Sequence, residues 1–195
     1  MARDAAVGVA NHNGWAHLVT VAWGEDEPVI VDRRRVLLVA ADLPKQPHEH
    51  HVMDLPRDEA QALVDLVKRS AGDYAHAALA TLRDELAPVF ALQGLAMRLN
   101  HFGALPADIG EVLEYPPFRY AADAMLYLEA LDAAATALGL PVRRHQKGTE
   151  FELADAVLGG EAEPWLKGLG KALGPPWTME HQRAAAAAIA LLPTP

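Results

Sequence analysis

The chain has 195 residues, of which 51% are apolar and 22% are charged, a balance that excludes a disordered protein and predicts one compact domain over 1–195. Its 26 acidic residues outnumber its 17 basic ones, so the net charge of -9 disfavours nucleic acid as a partner without excluding it. The absence of cysteine excludes disulfides and thiolate chemistry, and it fits a cytoplasmic location. No apolar run is long enough to predict a membrane span or a signal peptide.

The chain begins with a predicted β-hairpin. Residues 5–12 and 15–23 are rich in Val, Ala, Leu and Trp, and Asn13-Gly14 separates them. This dipeptide is typical of a type I′ turn, because both residues tolerate a positive φ.

Residues 29–39 predict a third strand that is long or bent. Its two apolar halves flank Arg33-Arg34-Arg35, and a second basic group spans Arg143 to Lys147. Alternate residues of a strand point to opposite faces, so each group places only two charges on one face. We therefore favour solvated strand edges and ends here over a nucleic-acid surface.

The rest of the chain alternates between helical and strand patterns. Apolar residues at steps of three and four predict helices, and short apolar runs predict strands. The predicted elements are a helix from Pro56 to Leu86 broken near Gly72, a central buried strand at 89–97, a short helix at 107–115 ended by Pro116-Pro117, a helix from Phe118 to Leu138 closed by Gly139, a strand at 141–145, a loose helix at 150–158 and a last helix at 179–192. This order predicts an α/β fold with a mixed sheet, in which three antiparallel N-terminal strands precede alternating helices and strands.

That order resembles the RNase H-like superfamily over nearly the whole chain. Val7-Gly8-Val9-Ala10-Asn11-His12-Asn13-Gly14-Trp15 resembles the first hairpin of the superfamily. His181-Gln182-Arg183-Ala184-Ala185-Ala186-Ala187 resembles the last helix of its Holliday-junction resolvase branch.

The resemblance implies a two-metal site for phosphodiester hydrolysis, in which acidic residues from the first strand, a central element and the last helix bind Mg²⁺ or Mn²⁺. In this sequence Asn11 stands where the family has its leading Asp. The last helix of the family carries His or Asp, two residues, and then Asp, whereas here His181 is followed by Ala184.

Two hypotheses follow from these departures. The first is a diverged, non-catalytic member that acts as a binding or interaction module, with a protein partner or a second copy of itself. We expect such a module to show an apolar surface around Trp165, Trp177 and the alanine-rich last helix. The second is a metal-dependent nuclease or phosphodiesterase with a shifted site. Its candidate residues are Asn11, His12, Asp123, Glu180 and His181.

A separate metal site is also conceivable from the sequence. The histidines of Pro47-His48-Glu49-His50-His51 are potential Zn²⁺ ligands, with His17 or His76 as further donors, although a loop lacks the regular spacing of helical metal motifs. A purely structural role is the alternative. Serine-type acyl transfer is disfavoured because Ser70 is the only serine and has no nucleophile-elbow motif around it.

Overall fold

A five-stranded sheet in the order β3-β2-β1-β4-β5 forms the centre of the structure, a computed structural model that describes residues 2–99 and 102–193. The strands are β1 (Arg3–His12), β2 (Trp15–Trp23), β3 (Pro28–Leu37), β4 (Phe90–Arg98) and β5 (Val142–His145). The first three pair antiparallel, whereas β4 runs parallel to both β1 and β5. The predicted mixed sheet is therefore confirmed, with β1 at its centre and β4 beside it.

The hairpin turn differs from the predicted type. Gly14 has a φ of 84°, but Asn13 is not among the residues with positive φ, so the turn is not type I′. The predicted bend in the third strand is present as an irregularity in its register with β2, where Thr20 pairs with Asp32 and Val21 with Ile30. Val31 is the extra residue of this bulge.

The described helices are α1 (Pro47–His50), α2 (Arg57–Leu86), α3 (Ile109–Glu114), α4 (Pro116–Ala137), α5 (Glu150–Leu158), α6 (Ala162–Gly168), α7 (Gly170–Leu173) and α8 (Met179–Ile189). Two predictions were wrong. Helix α2 continues through Gly72, because one glycine weakens a helix without breaking it. The helix predicted to start at Phe118 begins instead at Pro116, where the first turn needs no amide hydrogen, whereas the short helix before it ends at Glu114, before the prolines, as predicted.

Helices cover both faces of the sheet because the strand side chains alternate. Val7, Val9 and Leu18 pack in a core with α2 and α4, whereas Ala6 and Val19 pack in a second core with α5, α6 and α8. No helix among the described residues is long and apolar enough to cross a membrane.

Of the apolar surface predicted around Trp165, Trp177 and the last helix, the part formed by the alanines of α8 is absent, whereas Trp165 lines a cavity together with Trp23, Val157 and Leu158. The alanines at 184–188 are all buried, because α8 packs against β1, β2 and α5. Trp177 is half-buried and its indole N–H donates to the Leu166 carbonyl, while the Trp165 indole donates to Glu27. Small side chains in α8 therefore serve close packing inside the protein.

Candidate functional site

A polar pocket lies where β1, β4 and β5 end. Its cavity measures about 290 Å³ and is lined by Val9, Ala10, Asn11, His12, Arg98, His145, Lys147, Glu150, Glu180, Arg183 and Ala184. Because these three strands are parallel, their carboxyl ends meet at one edge of the sheet, which is where α/β folds usually place their ligand sites.

The pocket gathers only part of the predicted site. Asn11, His12 and Glu180 line it, together with Ala184, so both positions at which the sequence departs from the resembled acidic pattern face the same cavity. Five further ionisable residues that line the cavity were not proposed as site residues: Arg98, His145, Lys147, Glu150 and Arg183. His145 and Lys147 belong to a basic group that was noted in the sequence but predicted to be a solvated strand end.

The pocket contains more cations than carboxylates. Arg98, Lys147 and Arg183 carry positive charge, against Glu150 and Glu180. Glu150 is 1% exposed, and its Oε1 lies 3.8 Å from Arg98 Nη2 and 3.8 Å from His145 Nδ1. The Gly148 amide also donates to Glu150 at 2.9 Å. This buried carboxylate is thus hydrogen-bonded to the Gly148 amide and has Arg98 and His145 as its nearest ionisable neighbours.

Glu180 belongs to a small network of aromatic and histidine side chains beside the pocket. Its Oε1 lies 3.1 Å from His12 Nε2, and its Oε2 lies 4.0 Å from His17 Nε2. The His12 ring stacks on Trp15 with centroids 3.9 Å apart, and the His17 ring lies 4.0 Å from His181. Burial and then the charge of His181 lower the pKa of His17 to about 4, against the opposing effect of Glu180.

His181 has a local structural role at the start of α8. Its Nδ1 accepts a hydrogen bond from the Thr178 amide at 3.3 Å and lies 2.8 Å from the Thr178 hydroxyl oxygen. The Thr178 side chain accepts in turn from the His181 amide, which completes a capping box. Burial and then the Arg33 charge lower the pKa of His181. The ring is therefore neutral near pH 7, and its Nδ1 is committed to the helix end.

Asp123 lies away from the polar pocket. It is fully buried in α4, where Oδ1 accepts from the His48 amide at 3.1 Å and lies 2.7 Å from His48 Nδ1. Its Oδ2 accepts from the Glu49 amide at 3.0 Å. Both carboxylate oxygens are engaged in holding α1 on α4, so the structure does not bring Asp123 together with Asn11 and His181.

The histidine loop does not converge on one point. His48 is buried against Asp123, whereas the His50 side chain is 61% exposed and the Nδ1 atom of His51 lies 3.2 Å from the Gln46 carbonyl. His76 is exposed on α2. Among residues 2–99 and 102–193, no group of three or more His, Asp or Glu side chains is arranged to hold a metal ion.

The donor set of the polar pocket does not fit the two divalent cations that the resemblance implies. Such cations need several carboxylate ligands at close range. Here the corresponding positions carry an amide at Asn11 and a methyl group at Ala184, and three cationic side chains line the same cavity. A second divalent charge would meet repulsion from Arg98, Lys147 and Arg183.

Another cavity, of about 450 Å³, is larger than the polar pocket. It is lined by Trp23, Asp26, Glu27, Pro28, Val157, Leu158, Gly160, Glu161, Pro164 and Trp165. None of the proposed catalytic or metal-binding residues lines it. The polar pocket is the better candidate site because it lies at the carboxyl ends of the parallel strands and brings buried charges together.

This geometry defines an α/β protein with an RNase H-like fold. The fold is shared by RuvC of Thermus thermophilus in complex with a Holliday junction substrate, with a TM-score of 0.54 and 13% identity over 95% of this chain and 90% of the RuvC chain. A second Thermus thermophilus RuvC structure matches with a TM-score of 0.53 and 14% identity, covering 95% of this chain and 92% of that one. No protein-family model matches the sequence, and no curated protein matches it.

Proposed function

We propose that this protein is a single-domain, non-catalytic RNase H-like protein that acts as a binding module through its polar pocket. The observation that carries this proposal is a cavity in which two expected metal-binding carboxylates are missing and three cationic side chains are present. Arg98, Lys147 and Arg183 line the cavity that Asn11 and Ala184 also line. A cavity with this charge favours an anionic ligand and opposes the assembly of two divalent metals.

The placement of Asp123 supports the same proposal. A nuclease with a shifted site needs this carboxylate near Asn11 and His181, but its two oxygens accept three hydrogen-bonding contacts from His48 and Glu49. Freeing it for catalysis would break a buried network. The burial of α8 also argues for a ligand in the pocket over a partner docked on that helix.

The test is an assay for metal-dependent cleavage. We expect purified protein to leave four-way DNA junctions, single-stranded DNA and RNA intact in Mg²⁺ or Mn²⁺ under conditions in which Thermus thermophilus RuvC cuts a junction. Thermal unfolding of metal-stripped protein should also be unchanged by Mg²⁺, Mn²⁺ or Zn²⁺, since a ligand that binds only the folded state raises the apparent stability. Cleavage that requires Mn²⁺ or Mg²⁺ and is lost in Glu180→Gln would establish the shifted-site nuclease instead.

A further inference from the structure

The polar pocket holds hydrogen-bond donors that the described part of the protein does not use. Arg98 Nε and Arg183 Nε are buried and have no hydrogen-bond partner there. An arginine Nε always carries a hydrogen and can only donate. Buried polar groups are nearly always paired. The two arginines that carry these atoms both line the cavity, so a ligand with acceptor oxygens can pair with their guanidinium groups.

The charges of the pocket point to an anion. Glu150 lies near Arg98 and His145, and Glu180 is paired with His12. Within residues 2–99 and 102–193, neither carboxylate lies within 4.0 Å of a Lys147 or Arg183 nitrogen. Two cationic side chains therefore face the cavity without a carboxylate of their own.

A second cavity of about 260 Å³ continues from the polar pocket and has an aromatic wall. The two cavities share Asn11, His12, Arg98 and Lys147, and the second adds Asn13, Leu99, Phe102, Tyr120, Ala124 and Leu128. Tyr120 is 53% exposed and meets Phe102 edge to face, with ring centroids 5.8 Å apart. We call this second cavity the aromatic groove. A ligand that spans both cavities meets cations at one end and ring surfaces at the other.

We propose that the polar pocket and the aromatic groove together bind a small phosphomonoester with an aromatic ring, of which a nucleoside monophosphate is the simplest example. This inference rests on the proposed binding function and names its ligand class. The phosphate lies among Arg98, Lys147 and Arg183, because guanidinium groups pair with phosphate oxygens through two parallel hydrogen bonds. The ring lies against Tyr120 and Phe102, where stacking is tolerant of ring type.

The size and charge of the protein favour a small ligand over a nucleic-acid strand. At about 290 and 260 Å³, each cavity lies at or below the lower end of the range for drug-sized ligands, roughly 300 to 1,000 Å³. A strand brings many phosphates to a protein whose net charge is -9, whereas a monophosphate meets only the local cations.

The experiment is calorimetric titration of the full chain with adenosine 5′-monophosphate in EDTA. We expect binding that is stronger than that of inorganic phosphate or adenosine alone, since each of these fills only one cavity. Arg183→Gln should weaken binding about tenfold or more, the usual loss when a charged hydrogen bond is removed. The matched control is Arg69→Gln, at an exposed arginine of α2, which should stay within about twofold of the wild type.

Arg183 is preferred to Arg98 for this test, because removing Arg98 leaves the buried Glu150 carboxylate without that cation. Tyr120→Leu tests the groove, with Tyr74→Leu on α2 as its control. Tyr120→Leu should weaken adenosine 5′-monophosphate about fivefold or more and leave inorganic phosphate unchanged, as expected when a stacking contact is lost. Circular dichroism and the unfolding midpoint confirm that each variant folds.

Four results would overturn this inference: no heat at millimolar nucleotide, equal binding of adenosine, equal loss in Arg69→Gln and Arg183→Gln, or binding only in the presence of Mg²⁺ or Mn²⁺. Tighter binding of a single-stranded oligonucleotide would also overturn it in favour of a nucleic-acid partner. Its failure is distinguishable from failure of the proposed function, because metal-dependent DNA cleavage is scored separately. If the protein neither binds the nucleotide nor cleaves DNA, the proposed ligand class is refuted and the proposed non-catalytic function is not.

Discussion

Gly8 of β1 lies directly against the backbone of Ala184 in α8. A Cβ built on Gly8 would fall 1.7 Å from the Ala184 carbonyl oxygen and 2.5 Å from its carbonyl carbon. Both atoms belong to the backbone, so no side-chain rotation can relieve the overlap. The approach of the last helix to the central strand therefore requires glycine at this position.

Gly8→Ala should destabilise the protein by about 3 kcal/mol, because the strand and helix must separate to admit a methyl group. Urea unfolding followed by circular dichroism measures the change. Gly72→Ala is the matched control, since a Cβ there meets nothing within 4 Å and alanine favours a helix by up to about 1 kcal/mol. Equal effects of the two substitutions would contradict the close approach.

Asp123→Asn should destabilise the protein by roughly 2–3 kcal/mol, since an amide cannot accept from the His48 ring and the two backbone amides as a carboxylate does. Glu129→Gln, at an exposed carboxylate of the same helix, should change stability by less than about 0.5 kcal/mol. Hydrogen exchange should locate the loss at 46–52. A stable Asp123→Asn protein with unchanged exchange there would show that this network contributes little.

His17 should make the protein sensitive to acid. Its pKa falls from 6.5 to about 4 on folding, so the unfolded chain binds the proton more readily. Stability from this group is complete above about pH 6.5 and is lost as the pH falls towards 4, and burial lowers the pKa of His181 in the same direction. The loss due to His17 should be of the order of 2 kcal/mol after allowance for solvent screening.

The measurement is the free energy of unfolding in urea between pH 7.5 and 4.5. His17→Gln should flatten the pH dependence of the free energy of unfolding, whatever the substitution does to stability at neutral pH. His76→Gln, at an exposed histidine, should leave the slope of that dependence unchanged. An unchanged slope in His17→Gln would assign the acid sensitivity to other groups.

Arg33→Lys should loosen the segment before α8. The Arg33 guanidinium donates to the carbonyls of Leu173, Gly174 and Pro176 at 2.6, 2.8 and 2.6 Å. An ammonium group on a shorter side chain cannot reach three carbonyls with the same geometry. We expect a loss of about 1–2 kcal/mol and faster amide exchange at 170–177. Arg69→Lys is the control, and equal exchange in the two variants would argue against this tether.

Local patterns predicted most elements of the fold. The hairpin, the long or bent third strand and the helix closed by Gly139 depend on spacing and turn chemistry within a few residues, and such signals are present in the chain itself. The predicted turn type at Asn13 and the predicted break near Gly72 were wrong, because local preferences of less than about 1 kcal/mol yield to the pairing and packing around them.

The sequence by itself determined the RNase H-like order of elements and the absence of the expected acidic residues at Asn11 and Ala184, since periodicity and residue identity are properties of the chain. Only the tertiary structure decided which side chains surround Asn11 and Ala184. Arg98 ends β4, Glu150 begins α5 and Arg183 lies in α8, and parallel pairing of the strands brings them to one cavity. Likewise, the sequence near Asp123 does not predict its contact with His48, because the two residues are 75 positions apart and meet only through the packing of α1 on α4.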